Sequence, residues 1–357
     1  MNTRLAGLRR LLAREELDGI ILTDLMNIRW LCGFTGSNAL VVVTRRGAWF
    51  YTDFRYKEQS RQQVTGCRVA VLARGLVDSL PLGPLRGLAR VGVEKHHLRL
   101  GDFAALRHQV RPTGARLLPV DNLVLELRRA KDPGEAKLVA AAQRHTDRVF
   151  GEILTLVRPG ITELDLAAEI TYRFSRVGEN AFPPIVASGP NGAKPHAEPS
   201  QRRLRRGDAV TFDVGCRYRG YCSDMTRTVF LGRPDPDLFE VYRIVLEAQR
   251  RALALVRPGM ACSELDRAAR GYITDAGYGP QFGHGLGHGV GLEVHEWPVA
   301  HARSPHTLAP GDVVTIEPGI YLPGFGGVRI EDLVLVTKTG HRNLTRSPKQ
   351  PLVIGAK

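Results

Sequence analysis

Four acidic residues occur as two similarly spaced pairs in apolar surroundings. Asp213 lies in the run VTFDVG with Asp224 eleven residues further on, and Glu317 lies in VTIEPG with Glu331 fourteen residues further on. A lone buried carboxylate usually caps a helix or pairs with arginine, but four that converge would repel one another severely. Divalent cations relieve that repulsion, and four carboxylates suit two metal ions. The sequence therefore predicts a two-metal site.

A glycine-rich segment, GHGLGHGVGLEVHEWP, adds three histidines: His284, His288 and His295. A neutral imidazole binds metals, polarises a carbonyl or shuttles a proton, and the glycines let the backbone approach a ligand closely. The Gly-Lys-Ser/Thr signature of a phosphate loop is absent, so the segment does not indicate nucleotide binding. His196 lies in the loop ASGPNGAKPHAEP, where an exposed histidine is the simplest interpretation of that residue taken alone.

An internal repeat positions these groups. LVRPG occurs at Leu156–Gly160 and again at Leu255–Gly259, each time followed by ELD at the start of a helical stretch. RGDAVTFDVG (Arg206–Gly215) matches PGDVVTIEPG (Pro310–Gly319) in the same order. Such collinear self-similarity indicates a duplicated supersecondary unit. We expect two helix-plus-strand halves, related by a pseudo-two-fold axis, that face their carboxylate pairs toward each other.

The chain before this repeat has an α/β pattern. An amphipathic opening helix precedes apolar, β-branched runs that predict strands. These runs are GIILTD, ALVVVT, AWFYTD, RVAVLA, RVGVEK and LLPVD. The segment AKDPGEAK (Ala130–Lys137) then suggests a junction. We predict an α/β domain over residues 1–125 and an α+β domain over residues 126–357.

Composition limits the function classes. The 357 residues are 43% hydrophobic and 24% charged, which is typical of a globular protein, and no apolar run is long enough to predict a membrane span. The net charge of +14 comes from dispersed arginines, with a dense cluster only at residues 202–206, so neither nucleic acid nor membrane is expected as a partner. Five cysteines without a CxxC pair and an N-terminus without an apolar signal core predict a cytoplasmic protein.

Together these motifs resemble the pita-bread metallopeptidases, the family of methionine aminopeptidases, prolidases, Xaa-Pro aminopeptidases and creatinase. The family's ligand pattern falls on Asp213, Asp224, His288, Glu317 and Glu331, and the words FDVG, SDMTRT, GHGVG, EPG and RIED also match. The resemblance implies a pita-bread catalytic domain that holds two divalent metal ions per subunit. Manganese is the expected metal, with cobalt and zinc as alternatives.

The N-terminal domain resembles that of the creatinase and prolidase branch. Within it, NIRWLCGFTGSNA and YTDFRYKEQ look most like the small bacterial Xaa-Pro aminopeptidases. The resemblance implies a homodimer that hydrolyses the N-terminal Xaa-Pro bond of short peptides, with a metal-bridging water or hydroxide as nucleophile. The alternative is a prolidase restricted to dipeptides, which needs a device such as Arg329 to recognise the proline carboxylate. A non-enzymatic binding protein on the same fold is the remote alternative.

The resemblance also implies roles for single residues. Those implied in catalysis are His196, His284, His295 and Glu317. Those implied in lining the substrate pocket are Tyr321 and Arg329. In this scheme Glu317 both binds metal and moves a proton, and His295 helps to polarise the scissile carbonyl.

Overall fold

The computed structural model describes residues 3–73 and 75–355. Contacts divide the chain into two compact units, one ending at Arg128 and the other beginning at Arg129. The sequence prediction places this boundary between residues 125 and 126. Among the described residues, no helix combines the length and apolarity needed to cross a membrane.

The first unit is built on a mixed sheet with the strand order β4-β3-β2-β1-β5-β6. Its strands are β1 (Gly19–Leu22), β2 (Leu40–Thr44), β3 (Ala48–Asp53), β4 (Arg68–Leu72), β5 (Arg90–Glu94) and β6 (Arg116–Val120). Every residue of β1 and β2 is buried, as expected of continuous apolar runs at the centre of a sheet. The six strands predicted from the sequence are confirmed.

Helices accompany this sheet. They are α1 (Thr3–Arg14), α2 (Leu25–Cys32), α3 (Lys57–Gln63), α4 (Leu100–Val110) and α5 (Leu123–Arg129). The predicted amphipathic opening helix is α1, which buries Leu5, Leu8, Leu11 and Leu12 on one face.

The second unit begins with α6, at the segment predicted as a junction. Its helices are α6 (Pro133–Leu154), α7 (Glu163–Ser175), α8 (Pro236–Leu255) and α9 (Cys262–Asp275). Asp132 caps α6 in a capping box with Glu135, and Pro133 occupies the first turn. The Pro-Gly of AKDPGEAK therefore starts a helix, because proline is well tolerated where the backbone N–H lacks an intrahelical partner.

The strands of the second unit are short. They are β7 (Glu179–Asn180), β8 (Ile185–Ser188), β9 (Ala209–Val214), β10 (Cys216–Tyr218), β11 (Tyr221–Cys222), β12 (Met225–Leu231), β13 (Gly287–Gly289), β14 (Glu296–Ala300), β15 (Val313–Ile316), β16 (Gly319–Leu322), β17 (Gly326–Arg329), β18 (Asp332–Val336), β19 (His341–Asn343) and β20 (Leu352–Ile354).

The predicted repeat is confirmed in the element order. In the first half α6 and α7 precede the antiparallel pair β9–β12, and in the second half α8 and α9 precede the antiparallel pair β15–β18. The turns that enter β9 and β15 use equivalent glycines, Gly207 at φ +91° and Gly311 at φ +93°, a conformation that disfavours other residues. Each half has its own core, centred on residues such as Phe212 in the first and Ile316 in the second.

Candidate metal centre and active site

The first carboxylate pair is held by β9 and β12. Asp213 is the penultimate residue of β9, and Asp224 immediately precedes β12. The two strands pair with Asp213 opposite Thr226. Because alternate residues of a strand face the same side, Asp224 and Thr226 present their side chains to one face of this sheet.

The second pair occupies the matching places in the other half. Glu317 follows β15 directly, and Glu331 directly precedes β18. The strands β15 and β18 pair with Ile316 opposite Asp332, which brings the backbones that carry the two glutamates side by side. The repeat therefore places two carboxylates at equivalent strand ends in each half.

Two threonines fix the glutamates, and the sequence analysis missed both. Thr226 Oγ1 donates to Glu331 Oε2 at 2.8 Å, and the Glu331 N–H donates to the Thr226 carbonyl at 3.1 Å. Thr315 Oγ1 donates to Glu317 Oε1 at 2.9 Å and accepts the N–H of His288 at 3.0 Å. The alternation of side chains along a strand could have identified them. Each threonine lies two residues from a predicted ligand, and such residues share one face of a strand.

His288 completes the cluster from β13. Its Nδ1 donates to the Gly289 carbonyl at 3.1 Å, so its Nε2 is the nitrogen that faces the carboxylates. Nε2 lies 3.2 Å from Glu317 Oε1 and 3.6 Å from Asp224 Oδ2. A backbone hydrogen bond on the other ring nitrogen is the usual support for a metal-binding histidine.

The cluster fits divalent metal ions. Ligand atoms of Asp224, His288 and Glu331 all lie within 4.8 Å of one another. Oδ1 of Asp213 and Oε1 of Glu331 are buried without a hydrogen-bond partner. Buried polar atoms are rarely left unsatisfied, and carboxylate oxygens with an imidazole nitrogen suit divalent cations. All five predicted ligands line one cavity.

Burial and mutual repulsion oppose ionisation of most of these carboxylates. Burial, together with the neighbouring negative charges, raises the pKa of Asp224 and that of Glu331 well above the usual range. Burial also raises the pKa of Asp213, although Arg329 opposes this effect. Without cations, the folded protein therefore retains protons that an unfolded chain would release.

Glu317 and His288 behave as an ion pair. Burial disfavours charge on Glu317, but the hydrogen bond and positive charge of His288 outweigh it and lower the pKa of Glu317 to about 2. Burial likewise opposes protonation of His288, and the bond to Glu317 reverses this so that the His288 pKa is raised. Without metal, the ionised Glu317 therefore favours protonation of the His288 ring.

These directions predict how stability depends on pH. Above about pH 4, unfolded Asp and Glu release protons that folded Asp224 and Glu331 retain, so the stability of chelator-treated protein falls as pH rises. The raised pKa of His288 acts in the same sense above its unfolded value of 6.5. Divalent metal displaces these protons. We expect the difference in unfolding temperature between manganese-loaded and chelated protein to widen from pH 5 to pH 8. A constant or narrowing difference in thermal scans would contradict this account.

A chain of hydrogen bonds runs beside the cluster. Arg329 Nη1 donates to the Tyr321 hydroxyl, which is also 2.8 Å from Nε2 of His284. Nδ1 of His284 donates to the Gly285 carbonyl at 2.8 Å, so Nε2 of the neutral ring accepts from Tyr321. Burial lowers the pKa of His284 and raises that of Tyr321, which favours the neutral form of both.

Arg329 is hydrogen-bonded to several groups around the cluster. Its guanidinium donates to Asp213 Oδ2 at 2.7 Å, to Thr226 Oγ1 at 3.1 Å and to the Pro195 carbonyl at 3.3 Å, in addition to Tyr321. Its exposed fraction is 4%. Arg329 thus borders the cavity, as the sequence predicts, but the protein itself uses four of its five N–H donors.

The remaining predicted histidines lie at the same cavity. The ring of His295 packs against that of His288 with centroids 4.3 Å apart, and burial lowers the His295 pKa. His196 is exposed on its loop and lines the cavity. Next to His295 in sequence, Glu296 forms a buried ion pair with Lys131 at 3.0 Å. The sequence does not indicate this pair, because 165 residues separate its members.

The cavity has a volume of about 700 Å³ and an apolar wall. Phe182, Pro183, Pro184 and Ile185 form part of this wall, and the sequence analysis did not select them. The cavity borders all the predicted metal ligands, histidines and pocket residues. Such a mostly apolar pocket with a few convergent polar groups is typical of a substrate site.

Family models match most of the chain. The model of the Creatinase/Prolidase N-terminal domain matches residues 4–130, and the model of Metallopeptidase family M24 matches residues 137–338. These matches confirm the predicted resemblance to the creatinase and prolidase branch and the predicted two-domain fold class.

Individual proteins are similar over nearly the whole chain. An Xaa-Pro dipeptidase of Bacillus anthracis has a TM-score of 0.95 at 38% identity, covering 99% of both chains. An Xaa-Pro dipeptidase of Pyrococcus horikoshii is 33% identical over 98% of this chain and 99% of its own. An X-Pro aminopeptidase of Thermotoga maritima has a TM-score of 0.88 at 34% identity, covering 98% of this chain and 100% of its own.

Proposed function

Since this chain belongs to Metallopeptidase family M24 and is therefore a peptidase, we propose that it hydrolyses the Xaa-Pro bond of dipeptides, using two divalent cations. The observation that carries this proposal is the buried cluster of four carboxylates and His288 at the edge of one cavity. The proteins similar to nearly the whole chain include Xaa-Pro dipeptidases from two genera. They support the dipeptidase alternative better than the aminopeptidase interpretation first drawn from the sequence.

The proposed ligands are those that the sequence predicts: Asp213, Asp224, His288, Glu317 and Glu331. Bound there, divalent cations supply Lewis acidity that polarises the scissile carbonyl and lowers the pKa of a water molecule toward about 7. Oxygen-rich ligands with a single imidazole favour manganese over zinc, with cobalt as a further alternative. A homodimer and a cytoplasmic location remain predictions.

The side chains around the cluster supply the rest of the chemistry. Glu317 lines the cavity beside the other ligands, where its carboxylate can accept a proton from the attacking water and pass it on. The nitrogen of the Xaa-Pro bond, like that of any peptide bond, must receive a proton to leave as an amine. His196 and His295 have no hydrogen-bond partners among the described residues and can donate to the substrate carbonyl.

A second candidate, an Xaa-Pro aminopeptidase acting on longer peptides, is supported by the similarity to the Thermotoga maritima protein. Both candidates use the same cluster, so they differ only in how the substrate's far end is accommodated. Catalysis of Xaa-Pro hydrolysis is common to both.

Manganese-loaded protein is expected to cleave Ala-Pro and to leave Arg-Pro-Pro largely intact, with products followed by mass spectrometry. Efficient release of arginine from the tripeptide would instead establish the aminopeptidase. Hydrolysis of neither peptide by protein shown to contain two metal ions would contradict both candidates. Asp275→Asn, an exposed substitution at the end of α9, should cleave the same peptide as wild type, and it is the matched control for substitution of an aspartate in the metal site.

A further inference from the structure

A dipeptidase must recognise the free carboxylate on the proline of its substrate. This requirement rests on the proposed function, and Arg329 does not meet it. The Arg329 side chain is buried, forms an ion pair with Asp213 and donates four of its N–H groups within the protein. Turning it toward a substrate would break all four of these hydrogen bonds and leave the buried Tyr321 hydroxyl without its donor.

One further histidine borders the cavity, and the sequence analysis assigned it no role. His301 follows the last residue of β14, Ala300, which pairs with Gly287. A Cβ atom placed on Gly285 would lie 3.1 Å from Cβ of His301. His301 therefore stands against the segment that carries His284 and borders the same cavity.

The ring of His301 has an available donor. Its Nδ1 accepts the N–H of Arg303 at 3.2 Å, so in the neutral ring the hydrogen is on Nε2. Within residues 3–73 and 75–355, that Nε2 has no hydrogen-bond partner. The contact with Arg303 also fixes the orientation of the ring on a tight turn, in which Ser304 donates to the His301 carbonyl at 2.9 Å.

Three of the other cavity histidines are less suited to this role, and the fourth, His196, is already proposed as a donor to the substrate carbonyl. Both ring nitrogens of His284 are engaged, by Tyr321 and by Gly285. His288 faces the carboxylates, and His295 packs against it, so both lie where the scissile bond must be. His301 lies outside that cluster, as expected of a group that contacts the far end of a short substrate.

We propose that His301 is a specificity-determining residue whose Nε2–H binds the C-terminal carboxylate of the dipeptide. In the metal-loaded protein the cations offset the charge of the buried carboxylates, but the carboxylate of the substrate still needs a donor when it leaves water for the cavity. A charge-assisted hydrogen bond from His301 supplies this donor and orients the proline ring toward the apolar wall.

The test compares Ala-Pro with Ala-Pro-amide, in which the carboxylate is replaced by a neutral group. Wild-type protein is expected to prefer Ala-Pro. His301→Ala is expected to lower kcat/KM for Ala-Pro by about 10- to 100-fold, the range for a hydrogen bond to a charged group. Its kcat/KM for the amide should change little, and the loss should appear chiefly in KM. His301→Arg, which supplies N–H donors at the same position, should recover the preference.

Equal losses on both substrates, or unchanged kinetics with Ala-Pro, would overturn the assignment. His108→Ala, an exposed substitution in the first unit, controls for the loss of a histidine in general. Failure of the proposed function is distinguishable, because it would appear as absence of Ala-Pro hydrolysis by the metal-loaded wild-type protein. A wild-type protein that cleaves both substrates equally well would also contradict the proposal.

Discussion

Asp224→Asn is expected to abolish metal binding and peptidase activity together. Asp224 lies close to both His288 and Glu331 in the cluster, and asparagine keeps its shape while removing the charge that a cation requires. Loss of residues that merely orient metal ligands costs about 10- to 100-fold in affinity or activity. Loss of a ligand should therefore exceed about a hundredfold. Elemental analysis of dialysed protein and Ala-Pro hydrolysis measure the two effects.

In chelator-treated protein, Asp224→Asn is expected to preserve or raise the unfolding temperature. Because burial and neighbouring charges raise the pKa of Asp224, its ionised form destabilises the metal-free fold. Chelated Asp224→Asn should unfold at a temperature equal to or above that of chelated wild type, and added manganese should raise that temperature far less. A variant that keeps both metal ions and full activity would refute the proposed site, and Asp275→Asn should match wild type throughout.

Arg329→Met is the second substitution with a large expected effect. Removing one partner of a buried ion pair costs about 3–5 kcal/mol, because the other charge is left uncompensated. Here Asp213 loses its cation, and the Tyr321 hydroxyl loses the donor that holds it against His284. Chelated Arg329→Met should lose about that much free energy of unfolding, measured by urea denaturation.

Metal should reduce this loss, because bound cations replace the charge that Arg329 provided to Asp213. The difference in free energy of unfolding between Arg329→Met and wild type should therefore be smaller in manganese than in chelator. If this difference is the same in both conditions, the arginine acts independently of the metal site. Arg250→Met, which removes an exposed arginine of α8, is the control and should leave stability nearly unchanged.

The sequence predicted the ligand cluster well because a repeat encodes it. Apolar strand sequences carry Asp213 and Glu317 at equivalent positions, and the structure places both at strand ends beside one cavity. Strand positions in the first unit were equally predictable from the sequence, because β1 and β2 are continuous apolar runs. Both kinds of prediction depend on local pattern, which a single sequence displays directly.

Contacts between distant residues could not be predicted in this way. The bond from Arg329 to Asp213 spans 116 residues, and that from Lys131 to Glu296 spans 165. Nothing in the types or spacing of these residues indicates that they meet. Whether Arg329 is free to bind substrate therefore depended on tertiary structure, which shows its donors already engaged.

The motif used to favour an aminopeptidase has local structural roles. In NIRWLCGFTGSNA, Asn27 donates to Glu94 at 2.6 Å and accepts from Arg128 at 2.8 Å. Asn38 donates to Asp53 at 2.6 Å. These contacts hold the first unit together, so the motif carries little information about substrate length.

The four carboxylates and His288 are proposed to hold two divalent cations, and anomalous diffraction from crystals soaked in manganese locates such ions. We expect two anomalous peaks per chain, with Asp213, Asp224, His288, Glu317 and Glu331 as their protein ligands. Crystals that bind manganese elsewhere but show no peak at this cluster would refute the proposed metal site.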